Sequence, residues 1–168
     1  MKYLTLLLFC GLMVIQNTIG QIQECIEPEI FEIKADSLFQ AFRYDSSAVY
    51  YCKAASVYEQ KRDWMHCVKN YRLTSNAFLK TAKYDSAFDY SQKAFSISLK
   101  HFQENNKDEM YEKSDILLCL GNVTEMKGKY QEELLYYKKA LDLVLTTDRT
   151  DSLKIAEIWN KAGAAYNK

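Results

Sequence analysis

A segment of about forty residues recurs along this chain of 168 residues, and that repeat limits the possible folds more than any other feature. Residues 43–54, 83–94 and 129–140 align, and each copy has a basic residue, then Tyr, then an Ala ten positions after the Tyr. The copies lie 40 and 46 residues apart. Self-similarity at this period is typical of solenoids, in which neighbouring repeats stack to bury a continuous core.

Within each copy the apolar residues recur every three or four positions, which is the spacing of one face of an α-helix. In the third copy they are Tyr130, Leu134, Tyr137, Leu141 and Val144. The chain holds only 5 Gly and 1 Pro, too few for the turns of a many-stranded fold. The sequence therefore predicts an all-α fold, an α-solenoid built from antiparallel helix pairs.

The helix pattern places seven helices along the chain. Their predicted spans are 28–42, 44–61, 66–82, 84–102, 113–127, 130–146 and 151–167. The repeats lie at about 28–61, 68–101 and 114–147, with half a repeat at 156–168 and a short lead-in at 21–27. The polar stretches 105–109 and 146–151 are predicted to be surface loops, and Gly128 is predicted to cap a helix in the left-handed conformation.

The first twenty residues have the pattern of a secretory signal peptide. Lys2 supplies the positive charge, residues 4–15 form the apolar run, and residues 18–20 end in a small residue. The run is shorter than the roughly 20 residues that span a bilayer. We expect cleavage before Gln21, export to the periplasm or the medium, and no membrane span in the mature chain.

Disulfides form in the oxidising environment that an exported protein meets, and the mature chain has an even number of cysteines that could pair. Cys25, Cys52, Cys67 and Cys119 are widely and irregularly spaced, and two of them fall within helical apolar patterns. A thiol in such a position behaves as a small hydrophobic group. We predict buried free thiols, with two disulfides as the alternative. There is no CxxC motif and no His at ligand spacing, so no metal site is expected.

The charge balance and the histidines exclude several function classes. The chain has 22 basic and 22 acidic residues, and this zero net charge argues against a protein that binds nucleic acid or an anionic membrane. His66 and His101 lie at predicted helix ends, where a histidine is usually a solvated or capping side chain. Cys67 follows His66 directly, so the two side chains diverge around a helix. We expect no catalytic site, no cofactor and no small-molecule substrate.

The repeat residues resemble the tetratricopeptide repeat (TPR) family. The third copy carries Leu120-Gly121, then Gly128-Lys129-Tyr130, then Tyr137 and Ala140, and the last copy opens with Trp159, Ala162-Gly163 and Tyr166. This chain departs from the family pattern at Ala35 and Ser75, which stand where the family has Gly, and at Glu133, which replaces a small residue. The 40 to 46 residue period resembles the extended bacterial type, found ahead of caspase-like (CHAT) peptidase or signalling domains.

The resemblance implies that the tyrosines, 13 in all, mainly fill space between helices, with an aromatic binding patch as the alternative. It also implies a concave groove, lined by the first helix of each pair, that holds a protein or peptide partner. The groove positions that carry over are Lys69, Arg72, Asn76, Leu79, Lys80, Asp115, Leu118, Asn122, Glu125 and Met126. Arg72 and Asn76 resemble groups with which some members hold a ligand carboxylate, although Leu118 stands where Arg72 would recur.

The function expected from these features is that of an exported, non-enzymatic scaffold for protein interaction. The alternative is the N-terminal recognition segment of a larger enzyme or sensor, such as a CHAT peptidase, truncated at residue 168. This alternative rests on the last predicted helix, which carries Ile155, Ile158, Trp159 and Ala162 and reads as a repeat cut in half. Self-assembly through the exposed end of the array is a third possibility.

Overall fold

The computed structural model of the chain describes residues 27–166. The predicted signal peptide and Cys25 lie outside them. The described residues form seven α-helices and no strand. The helices are α1 (Pro28–Gln40), α2 (Tyr44–Lys61), α3 (Trp64–Lys80), α4 (Tyr84–His101), α5 (Lys107–Met126), α6 (Tyr130–Thr147) and α7 (Ser152–Tyr166).

Every helix packs against the next one in the chain, from α1 to α7, and α3 also contacts α5. Short connections between successive helices favour this neighbour-on-neighbour arrangement. The result is an all-α solenoid, as the repeat predicted. In the part of the chain that the structure describes, no helix has the length and apolarity to cross a bilayer.

One turn recurs in all three repeats and sets where the first helix of each pair ends. Phe42, Ala82 and Gly128 occupy aligned positions and all have positive φ, of 58°, 56° and 70°. A residue in this left-handed conformation ends a helix. The predicted helices 28–42 and 66–82 were therefore too long at this end, and they stop at Gln40 and Lys80.

Because only Gly adopts positive φ without steric cost, the three turns are not equally relaxed. We expect Ala82→Gly to raise the free energy of unfolding by roughly 0.5–1 kcal/mol and Gly128→Ala to lower it by a similar amount. Apart from Gly128 itself and its two chain neighbours, no described residue has an atom within 4 Å of a Cβ built on Gly128, so the second change isolates the backbone effect. Urea unfolding of both variants checks this; shifts of the same sign would contradict it.

The start of α5 was predicted wrongly. The sequence pattern begins it at residue 113 and leaves 105–109 as a loop, whereas the helix starts at Lys107. Asn106 makes this possible, because its side chain accepts a hydrogen bond from the Glu109 amide at 3.3 Å. Asp63 caps α3 in the same way, from the His66 amide at 3.2 Å, and begins that helix two residues earlier than predicted. Asp151 caps α7, because its side chain accepts a hydrogen bond from the Lys154 amide at 3.0 Å.

Two hydrophobic clusters meet at α5. The first joins α2, α3 and α4 to Ile116 and Leu120 of α5. The second joins α6 and α7 to Leu117 and Leu118. A helix that buries more than one face in this way holds its side chains in fixed positions. Among the described tyrosines, Tyr58, Tyr71 and Tyr137 belong to these clusters, and Tyr51 is buried outside them.

The three cysteines within the described range are free, and Cys67 and Cys119 are buried while Cys52 is partly buried. Burial raises the pKa of the Cys67 thiol to about 12. Its neighbour His66 is exposed, and its Nδ1 lies 2.9 Å from Asp63 Oδ2. The two side chains therefore face different surroundings, and Cys67 stays a protonated thiol at neutral pH.

Candidate functional site

A cavity of about 290 Å³ opens between α3, α5 and α7, which are the first helices of successive pairs. We call it the groove. Its walls are mainly polar and come from all three helices. The lining residues are Arg72 and Asn76 on α3, Asp115, Leu118, Cys119 and Asn122 on α5, and Lys154, Glu157 and Lys161 on α7.

The repeat register explains why these residues meet. Asn76 and Asn122 are 46 positions apart and lie at the same place in successive copies. Helices that pack in the same way present aligned residues to the same side, so the groove lining follows one stripe per helix.

Half of the groove predicted from sequence converges on this cavity: Arg72, Asn76, Asp115, Leu118 and Asn122. The other predicted residues lie on α3 and α5 but not in the lining. They are Lys69, Leu79, Lys80, Glu125 and Met126.

Sequence reasoning missed the contribution of α7. The offset of 42 residues between the last two copies places Glu157 on Asp115 and Lys161 on Cys119. Extending the alignment into the last helix would have found both.

Arg72 is engaged by a carboxylate of the chain itself. Its Nε donates to Glu112 Oε1 at 2.6 Å and its Nη2 donates to Glu112 Oε2 at 3.1 Å. The side chains are only 15% and 7% exposed. Burial alone would lower the pKa of the Arg72 guanidinium, but the hydrogen bonds and charge of Glu112 raise it above its ordinary value. The Arg72 guanidinium, which the resemblance suggested as a group that holds a ligand carboxylate, therefore binds Glu112 and links α3 to α5.

Lys154 links α7 to α5. Its Nζ donates to Asp115 Oδ1, and it also lies 3.5 Å from Glu157 Oε2. Burial would lower the pKa of the Lys154 ammonium, but Asp115 raises it. Lys161 adds a second link, donating to Asn122 Oδ1 at 3.0 Å. Side-chain pairs within the protein therefore link the three helices that line the groove.

Asn76 and Asn122 both line the groove, and in each the amide oxygen already accepts a hydrogen bond. Asn76 Oδ1 accepts from the Cys119 thiol at 3.1 Å. Asn122 Oδ1 accepts from the Tyr137 hydroxyl and from Lys161, each at 3.0 Å. An asparagine whose oxygen is used in this way has its NH₂ group to offer a ligand. The groove therefore carries two amide donors at repeated positions.

The Cys119 thiol, which lines the groove with Asn76 and Asn122, stays protonated at neutral pH. Burial raises the pKa of Cys119, while Ser75 and Ser91, each 3.3 Å from its Sγ, act in the opposite direction. Three positive side chains, Arg72, Lys154 and Lys161, and two negative ones, Asp115 and Glu157, line the groove. The formal charges cancel once Glu112 is counted, which lies outside the lining and pairs with Arg72. These features suit a polar ligand of little net charge with hydrogen-bond acceptors.

The histidines lie elsewhere. The ring of His101 stacks on Trp64 at 3.7 Å, and the ring of His66 stacks on Tyr58 at 5.0 Å. Over residues 27–166, no group of three His, Cys, Asp or Glu side chains is placed to hold a metal ion.

The sequence matches no protein-family model. Comparison with curated proteins also gives no match. Among solved structures, the chain is similar to the crystal structure of BtubC (BKLC) from P. vanneervenii, with a TM-score of 0.71 and 20% sequence identity. The similarity covers 83% of this chain and 54% of that chain, so this chain spans about half the length of the protein it matches. At this level of identity the likeness establishes a helical repeat fold.

Proposed function

We propose that the protein is an exported, non-enzymatic scaffold of the TPR type that binds a segment of another protein in the groove. The observation that carries the proposal is that Asn76 and Asn122 line the groove at repeated positions, with their amide oxygens hydrogen-bonded inside the protein. We infer that their NH₂ groups are the donors offered to a ligand. Repeat proteins of this architecture use extended surfaces formed by successive repeats for binding.

The proposed ligand is a peptide in extended conformation. Backbone carbonyls recur along such a peptide and are acceptors for the two amides. Lys161 and Glu157 line the far wall and bring charges of opposite sign to the side chains of the peptide. Because the Arg72 guanidinium already binds the Glu112 carboxylate, it does not serve a peptide carboxylate. We therefore expect a peptide with a free C-terminus and the same peptide with an amidated C-terminus to bind with equal affinity.

Asn76→Asp and Asn122→Asp test the proposal with little change of shape. Each substitution keeps an oxygen for the internal hydrogen bonds and replaces the NH₂ donor by a second acceptor. We expect each to weaken binding of peptides selected from a random library by about tenfold, which corresponds to the loss of roughly one hydrogen bond to the ligand. Isothermal titration with the selected peptides gives the affinities.

The matched control is Asn105→Asp, the same change at an exposed loop residue outside the lining. It should leave the affinity unchanged. Equal losses in all three variants would point to a general effect of charge and would contradict binding in the groove. Unchanged affinity in the two groove variants would do the same.

A further inference from the structure

A cluster of hydrogen-bond acceptors lies where α1 meets α2 and α3. The hydroxyl oxygen of Tyr58, on α2, is 3.3 Å from Glu29 Oε1 and 3.1 Å from Glu32 Oε2, both on α1. Asn70 Nδ2, on α3, donates to Glu32 Oε1 at 2.5 Å and to the His66 carbonyl at 2.9 Å. We call Glu29, Glu32, Tyr58 and Asn70 the acidic cluster. It lies outside the lining of the groove.

The acidic cluster has more acceptors than donors. A tyrosine hydroxyl carries one hydrogen, so Tyr58 donates to Glu29 or to Glu32 but not to both. The Asn70 NH₂ group already donates to two acceptors. One of the two carboxylates therefore faces the Tyr58 oxygen with no hydrogen between them.

A buried acceptor beside Glu32 has no donor either. Asn70 is 0% exposed, and its Oδ1 has no hydrogen-bond partner among the described residues. Exchanging the oxygen and nitrogen of the amide does not help, because both groups that contact Nδ2 are acceptors. Oδ1 belongs to the same planar amide, so it lies beside the Glu32 carboxylate. A buried polar atom in this state points to a donor that the described residues do not supply.

The two carboxylates also lack a counter-ion. Among residues 27–166, no Lys, Arg or His nitrogen forms an ion pair with Glu29 or Glu32. Burial raises the pKa of the Tyr58 hydroxyl, and the negative Glu32 and Glu29 raise it further. The tyrosine therefore keeps its proton, and the cluster needs both hydrogen-bond donors and positive charge.

The repeat places the acidic cluster in line with the groove. Glu32 lies 40 residues before Arg72 and occupies on α1 the repeat position that Arg72 has on α3. Arg72 lines the groove. An elongated ligand that crosses α7, α5 and α3 in turn therefore reaches α1 next, because successive repeats form one extended surface.

We propose that the acidic cluster binds a lysine or arginine side chain of the peptide held in the groove. The inference rests on the proposed function, because the peptide brings the basic side chain. An ammonium has three N–H donors and a guanidinium has five, and neither has an acceptor. Either group supplies the hydrogens and the charge that Glu29, Glu32 and Asn70 lack, through charge-assisted hydrogen bonds. The cluster thus selects a basic residue at one position of the peptide.

Peptides selected from a random library on the wild-type protein are the probe, because their sequences are not assumed. We expect them to share a Lys or Arg at one position. Replacing that residue with norleucine keeps an aliphatic chain but removes the charged donors. The replacement should weaken binding by about tenfold or more, which is the loss expected for a hydrogen bond between charged groups. Isothermal titration measures the affinities.

Glu32→Gln is the matched change on the protein. The glutamine keeps an oxygen for the Asn70 amide and removes the charge. The norleucine peptide and its parent should then bind this variant with nearly equal affinity, because the interaction that the replacement removes is already lost. Glu104→Gln, the same change at an exposed residue between α4 and α5, should leave the full difference between the two peptides in place.

The outcomes separate this inference from the proposed function. If binding depends on Asn76 and Asn122 but the norleucine effect is the same in wild type and Glu32→Gln, this inference alone is wrong. If Asn76→Asp and Asn122→Asp leave the affinity unchanged, the proposed function fails, and this inference fails with it. Release of the peptide by calcium chloride, but not by choline chloride at the same ionic strength, would assign the cluster to a metal ion and would also overturn the inference.

Discussion

Replacing Arg72 with Met is expected to lower the free energy of unfolding by about 3–5 kcal/mol, the largest effect of any single change considered. The substitution removes both hydrogen bonds of the fork and leaves the Glu112 carboxylate, 7% exposed, without its counter-ion. An uncompensated buried charge costs far more than the pair contributes when both partners are present. Urea unfolding followed by circular dichroism measures the loss.

Two controls separate the stranded charge from the lost packing. The double variant Arg72→Met with Glu112→Leu should recover most of the loss, because it removes the charge as well as its partner. Lys83→Met breaks an ion pair to Asp45 whose side chains are 50% and 57% exposed, and it should change stability little. If the double variant were as unstable as Arg72→Met, the explanation by an unpaired Glu112 would be wrong.

Gly121→Ala is expected to lower the free energy of unfolding by about 2 kcal/mol, although alanine favours a helix by nearly 1 kcal/mol over glycine. A Cβ on Gly121 would lie 2.3 Å from Cε1 of the buried Tyr137 ring. The ring would have to move, and its hydroxyl would lose the hydrogen bond to Asn122 in the groove. We therefore also expect weaker peptide binding in this variant.

Gly163→Ala is the matched change. Gly163 aligns with Gly121, but outside its chain neighbours and the adjacent backbone of α7 no described residue comes within 4 Å of a Cβ placed there, so the substitution should stabilise by roughly 0.5–1 kcal/mol. A Tyr137→Ala background should convert Gly121→Ala from a loss to a gain, because the clash partner is gone. Equal effects of the two glycine substitutions in the wild-type background would contradict the close approach of α5 and α6.

Much of the fold is predictable from the sequence because the repeat carries two kinds of information. The spacing of apolar residues predicts helices, and the offsets of 40, 46 and 42 residues predict that the helices stack. The start of α5 escapes this reasoning. Lys107 lies in a polar first turn that lacks an apolar stripe, and it is helical because Asn106 caps it. The early ends at Phe42 and Ala82 escape it too, since neither residue type signals positive φ.

In the candidate site, only the residues at aligned positions of the repeats can be predicted from the sequence. Asn76 and Asn122 follow from the 46-residue offset, and Glu157 follows from the next one. The pairing of Arg72 with Glu112 does not, because 40 residues separate the two and they occupy different positions in the repeat. A contact between unlike positions depends on the distance between packed helices, which no periodic pattern contains.

The central claim is that the groove binds a peptide through the amides of Asn76 and Asn122, and nuclear magnetic resonance of the asparagine side chains tests it most directly. On addition of a selected peptide, the NH₂ signals of Asn76 and Asn122 should shift in proportion to saturation. Those of the exposed Asn105 and Asn160 should stay in place. Shifts at Asn105 or Asn160 with Asn76 and Asn122 unmoved would contradict the account.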